Sequence, residues 1–81
     1  MKGLVINMVE LKVGDICNAV VTYKNDYGVF VDAGDFNICM AFRDNLPEGF
    51  YEIAKSGAPV KIEVLSFDER GRCSVAVVEV L

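Results

Sequence analysis

From residue 11 onward the sequence is a succession of short apolar runs broken by turn signals, and this pattern leaves little room for anything but a small all-β domain. Gly14-Asp15 precedes a run from Ile16 to Lys24 in which Cys17, Ala19, Val21 and Tyr23 alternate with Asn18, Val20 and Thr22. Asn25-Asp26 is a turn, Tyr27 to Ala33 is rich in β-branched and aromatic residues, and Gly34-Asp35 closes it. A third run spans Phe36 to Phe42. A fourth, Val60 to Phe67, alternates Val60, Ile62 and Val64 with Lys61 and Glu63. After the turn Asp68-Glu69-Arg70-Gly71, the last run, Arg72 to Val80, places Cys73, Val75 and Val77 on one face. Five strands are expected.

Between the third and fourth runs the character changes. Arg43 to Gly57 offers Asn45 as an N-cap, Pro47 near the first turn, Glu48 three residues on from Asn45, and Gly57 as a terminator. Leu46, Phe50 and Ile53 would share one side of such a helix, and Gly49 in its interior keeps it to a turn or two. Three strands, a short helix, then two strands is the order of the five-stranded Greek-key barrel called the OB-fold. Closure also explains how so short a chain can be all-β, because it hides the strand edges.

The length, 81 residues, allows one domain. Residues 1–10 are expected to form an N-terminal extension and 11–81 the barrel. The apolar stretch within Met1 to Val9 is too short for a membrane span, and no cleavable leader is visible in it. Net charge is −4 and the pI near 4.6, so any contact with a polyanion must come from a local patch. Histidine is absent, which removes the usual acid–base group near neutral pH and His-based zinc sites. Cys17, Cys39 and Cys73 are widely spaced and share core parity; they read as small buried hydrophobes, reduced in a cytoplasmic setting. Asp32, Asp35 and Asn37 are explained by turn chemistry rather than by a cation, and Glu48 with Glu52 by a solvated face. No catalytic seat, metal site or cofactor site is expected.

Several pieces fall into a known order. Val13-Gly14-Asp15, Ala19-x-Val21-Thr22 and Asp26-Tyr27-Gly28-Val29-Phe30-Val31-Asp32 resemble the opening half of the S1 RNA-binding domain, whose pattern reads V-G-D, G-x-V-T, D-F-G-A-F-V. Ser56-Gly57, then Val60-Lys61-Ile62-Glu63-Val64-Leu65 and Asp68, resemble its fourth strand. Gly71-Arg72-Cys73-Ser74-Val75-Ala76 is similar to its last. The resemblance runs from Leu11 to Val77 and implies an OB barrel that binds single-stranded RNA without catalysis. It implies that Tyr27 and Phe30 stack on bases, a role that tolerates any base. In an arbitrary β protein the same two would be core residues of a half-buried strand. Their three-residue spacing crosses the pleat, so both rings can face outward only if Gly28 permits a bulge or bend. The resemblance also implies roles for Asp68 and Arg72, which a plain turn ion pair would equally explain. Lys24 and Arg43 are expected at the rim of the same face.

The third strand departs from the family. Met40 stands where the family carries an RNA-contacting histidine, and Phe42 stands where it carries a serine. Strand parity turns Phe36, Ile38, Met40 and Phe42 outward. Met40 and Phe42 could add stacking and apolar contact to RNA, the row could be a protein interface, or the helical connection could fold over it through Phe50 or Tyr51. The function expected is weak single-stranded RNA binding within a larger RNA-processing, translation or transcription assembly. The alternative is an OB-fold protein–protein adaptor that uses Phe36, Ile38, Met40 and Phe42. Oligomeric state is left open.

Overall fold

Alternation between small apolar and polar residues decides which side of each strand faces in. A computed structural model of the chain describes residues 10–81, so the expected N-terminal extension lies, but for Glu10, outside the described residues. The strands are β1 (Ile16–Asn25), β2 (Gly28–Asp32), β3 (Ile38–Phe42), β4 (Pro59–Phe67) and β5 (Cys73–Val80), within a few residues of the expected runs. They form a closed barrel in the order β1-β2-β3-β5-β4. The β3–β5 pair is parallel and the other four are antiparallel. The expected five-stranded barrel with a helical connection after the third strand is therefore present.

The interior is filled from every wall. Ala19 and Val21 of β1, Val29 and Val31 of β2, and Cys39 and Ala41 of β3 are buried. They meet Val60, Ile62 and Val64 of β4 and Cys73, Val75 and Val77 of β5. Burying Val- and Ile-sized side chains contributes about 1.5–3 kcal/mol each before entropy is counted. Cys39 and Cys73 behave as the expected small hydrophobes, whereas Cys17, nearer the mouth, is only half-buried.

The connection differs from the single helix expected. It breaks into a 3₁₀ turn at Arg43–Asn45 and one α-helical turn, α1 (Phe50–Ile53). Leu46 is extended, at φ −112° and ψ 148°, because the following Pro47 disfavours helical backbone in the residue before it. The N-cap of α1 is accordingly Gly49, in the left-handed region at φ 81°, and not Asn45. A one-turn helix has a narrow contact face. Phe50 enters the core, Leu46 packs partly against it, and Ile53 remains 68% exposed.

One position pins β2 to β3. Gly28 pairs with Phe42 in the ladder. A Cβ at Gly28 would lie 2.1 Å from the Ala41 carbonyl oxygen and 2.9 Å from the Phe42 Cα, both backbone atoms with nowhere to go. The Gly28→Ala variant should therefore lose about 3 kcal/mol of stability, the top of the ordinary overpacking range. A urea titration measures it; an unchanged midpoint would contradict so close an approach.

Candidate functional site

The turn between β1 and β2 is built by Asn25. Its Oδ1 accepts hydrogen bonds from the backbone N–H groups of Tyr27 (2.9 Å) and Gly28 (3.2 Å), and its carbonyl accepts one from the Tyr51 hydroxyl at 2.8 Å. The turn is thus fixed from two sides. It holds Tyr27 just ahead of β2, where the ring is 71% exposed. This answers the pleat problem differently from the expected bend at Gly28: Tyr27 lies outside the strand and so escapes its alternation.

Phe30 is half-buried on the outer face of β2 and pairs with Met40 on β3. On its other side it meets Tyr23, with ring centroids 6.0 Å apart and planes tilted by 31°. Strict alternation would have sent Tyr23 inward with Val21. The β1–β2 register shifts between Val21 and Tyr23, so the bulge turns Tyr23 out, 60% exposed, onto Phe30. Tyr23 is the aromatic that the sequence pattern conceals, since nothing in the run Val20 to Tyr23 marks a bulge.

The opposite wall comes from the β4–β5 turn. Asp68 Oδ1 accepts the backbone N–H groups of Arg70 (2.9 Å) and Arg72 (2.8 Å), and Oδ2 pairs with Arg72 Nε at 2.6 Å. Those bonds from Arg72, backbone first and side chain second, hold the exposed Asp68 carboxyl below its ordinary range. The Arg72 side chain is still 73% exposed, and its terminal Nη groups have no partner among the described residues. An exposed ion pair of this kind adds little stability. Its effect is to orient the guanidinium with one edge free.

These pieces converge on one groove of about 340 Å³, lined by Tyr27, Phe30, Met40, Phe42, Asp68 and Arg72, together with Asn25, Cys73 and Ser74. Six of the eight expected site residues meet there. The helical connection does not line the groove: Phe50 goes into the core and the Tyr51 hydroxyl is engaged by the Asn25 carbonyl. The remaining two, Lys24 and Arg43, flank Tyr51 rather than the groove. Lys24 Nζ donates to the Tyr51 carbonyl at 2.9 Å and lies 4.9 Å from its ring centroid, while the Arg43 guanidinium lies 3.8 Å from the same centroid. Tyr51 gathers both cations, a role its sequence context does not signal.

Chemically the groove offers flat apolar faces and one oriented cation. Among the described residues no group of His, Cys, Asp and Glu could hold a metal ion. Burial, then a hydrogen bond with Cys73, pushes the Cys39 thiol up to about 12, far from nucleophilic use. No helix among the described residues is long and apolar enough to cross a membrane.

No family model matches the sequence, and no curated protein matches it. Solved structures do. The uncharacterized protein MJ1198 from Methanocaldococcus jannaschii superposes with a TM-score of 0.77 at 14% identity, over 86% of this chain and 96% of that one. GSP13 from Bacillus subtilis gives 0.72 at 25% identity, over 84% of this chain and 56% of its own. A chain of the a/eIF2alpha-aDim2p-rRNA complex from Pyrococcus horikoshii gives 0.71 at 19% identity, over 84% and 45%. This chain thus spans about half the length of the latter two. Strand order, the helical turn after β3 and these superpositions agree: the chain folds as a five-stranded OB-fold barrel.

Proposed function

We propose that this domain binds single-stranded RNA, without catalysis, by stacking unpaired bases on Tyr27, Phe30 and Phe42. Met40 adds apolar contact in the family's histidine position, and the free edge of the Arg72 guanidinium takes a phosphate. The observation that carries this reading is the convergence of these rings and Arg72 on one groove that the described residues leave open. The similarity to a chain solved in a complex that includes rRNA supports it. Stacking is worth about 1–3 kcal/mol per base, so two bases taken alone give dissociation constants from tens of millimolar to tens of micromolar. A module this weak would work by avidity, inside a larger RNA-handling assembly in the cytoplasm.

NMR titration with a short pyrimidine-rich RNA tests the reading. Shifts centred on Tyr27, Phe30, Met40, Phe42 and Arg72 are expected. Silence at millimolar RNA, with concentration-dependent broadening from Ile38 to Phe42, would instead favour a protein adaptor. Tyr27→Ala and Phe30→Ala should each weaken binding by about 1–3 kcal/mol while the chain stays folded.

Because Lys24 and Arg43 sit around Tyr51, the groove engages one or two phosphates. The slope of log K against log salt should then lie near −1, at about −0.7 per phosphate for a single strand. A slope of −3 or steeper would place the cations elsewhere. Affinity should also be flat between about pH 5 and 8, since the chain has no histidine and Asp68 titrates below its ordinary value. The Asp68–Arg72 pairing is fully present above the ordinary carboxylate pKa and is lost only as pH falls through the depressed one.

A further inference from the structure

The groove that holds Tyr27 and Phe30 has Arg72 at its edge. Arg72 and Cys73 also line a second, larger groove of about 790 Å³, at the end of the barrel where β3 and β5 begin and β4 stops. Its apolar surfaces are Phe36, Ile38 and Phe67, exposed to 88%, 46% and 42%. Its basic residues are Arg70 and Arg72, against Glu10 as the carboxylate that lines it. The Arg70 guanidinium has no partner among the described residues; only its backbone N–H is engaged, by Asp68.

Phe36 is the least expected of these side chains. It lies at φ 61°, directly after Asp35 at φ 54°, in the left-handed region that bulky residues rarely adopt. The turn around it is closed by backbone hydrogen bonds from Ala33 to Asn37 (2.9 Å) and from Asn37 to Gly34 (3.0 Å). An aromatic here relieves no strain and gains almost no burial against the described residues, so their packing makes no use of the ring. Strain of this sort, held at an exposed aromatic, points outward to a ligand.

We infer that Phe36 and Phe67 form a second stacking platform, and that one strand of RNA runs from Tyr27 past Arg72 to this end of the barrel. The inference rests on the RNA-binding reading of the first groove. Two features favour RNA over a protein as the occupant. The second groove shares Arg72 and Cys73 with the first, and its cations stand where a backbone passing between two stacking platforms would need them. Distance also allows it: Phe42 and Ile38, four residues apart on β3, are about 13 Å apart along the strand. OB folds commonly take about 4–16 nucleotides, more than the first groove's rings can stack.

The test measures anisotropy of labelled trimer and octamer oligouridylates on the full chain, at one fixed salt concentration, for wild type and the Phe36→Ala/Phe67→Ala double variant. Both substituted side chains are exposed, and circular dichroism checks that the fold persists. Extra binding registers favour the octamer equally for both proteins, so the ratio of variant to wild type is the reading. The inference predicts an octamer loss of at least about fivefold with trimer affinity unchanged. Equal losses for both lengths, or no loss for either, would overturn it and leave the first groove's role intact. If wild type binds neither length, the underlying reading fails and the inference with it. If the variant binds both lengths normally but loses a wild-type tendency to self-associate, the patch is a protein interface and the inference is wrong.

Discussion

A five-stranded barrel has a narrow interior, and that constraint determines where the large side chains of this chain can go. The core is made of Val, Ala, Cys and one Ile, with Phe50 the one aromatic among the buried residues. The inward positions of the strands are taken by small side chains, so Tyr23, Phe30 and Phe42 stand on the outer wall of β1 to β3, Tyr27 in the turn before β2, and Phe36 and Phe67 at one end. The aromatic face is therefore a product of closure. A chain that packed these rings inside would need a wider barrel and a looser sheet. Gly28 marks how tight the closure is, since not even one methyl group fits between β2 and β3 there.

Side-chain hydrogen bonds then turn an exposed apolar wall into an ordered one. Asn25 and Tyr51 fix the turn that carries Tyr27, and Asp68 fixes the turn that carries Arg72. Neither device adds much stability. Each removes freedom from a residue that would otherwise lose it on binding a ligand, and preorganisation of that kind raises affinity without adding contacts. The same economy explains how a chain of net charge −4 can present a usable cation: Arg72 is held on the groove while Lys24 and Arg43 are spent on Tyr51.

Most of the fold was legible in the sequence because alternation and turn residues are local signals. Val60, Ile62 and Val64 announce β4, and Gly71 with Asp68 announces its turn, whatever surrounds them. Six of eight expected site residues converge on one groove for the same reason, as parity on β3 suffices to place Met40 and Phe42 and the Asp68 turn places Arg72. What stayed hidden depends on partners distant in sequence. The bulge that exposes Tyr23 is a property of the β1–β2 register, and the capture of Lys24 by Tyr51 spans 27 residues. The helix start was misplaced because Asn45 and Glu48 mimic a capping box, while Pro47 forces Leu46 out of the helical region and leaves Gly49 to begin the turn.

Intermolecular nuclear Overhauser effects between a short oligouridylate and this chain test the central claim most directly. Cross-peaks from uracil H5 and H6 to the ring protons of Tyr27 and Phe30 are predicted. Cross-peaks confined to the Lys24–Tyr51–Arg43 side, with the Tyr27 and Phe30 rings untouched, would contradict the account.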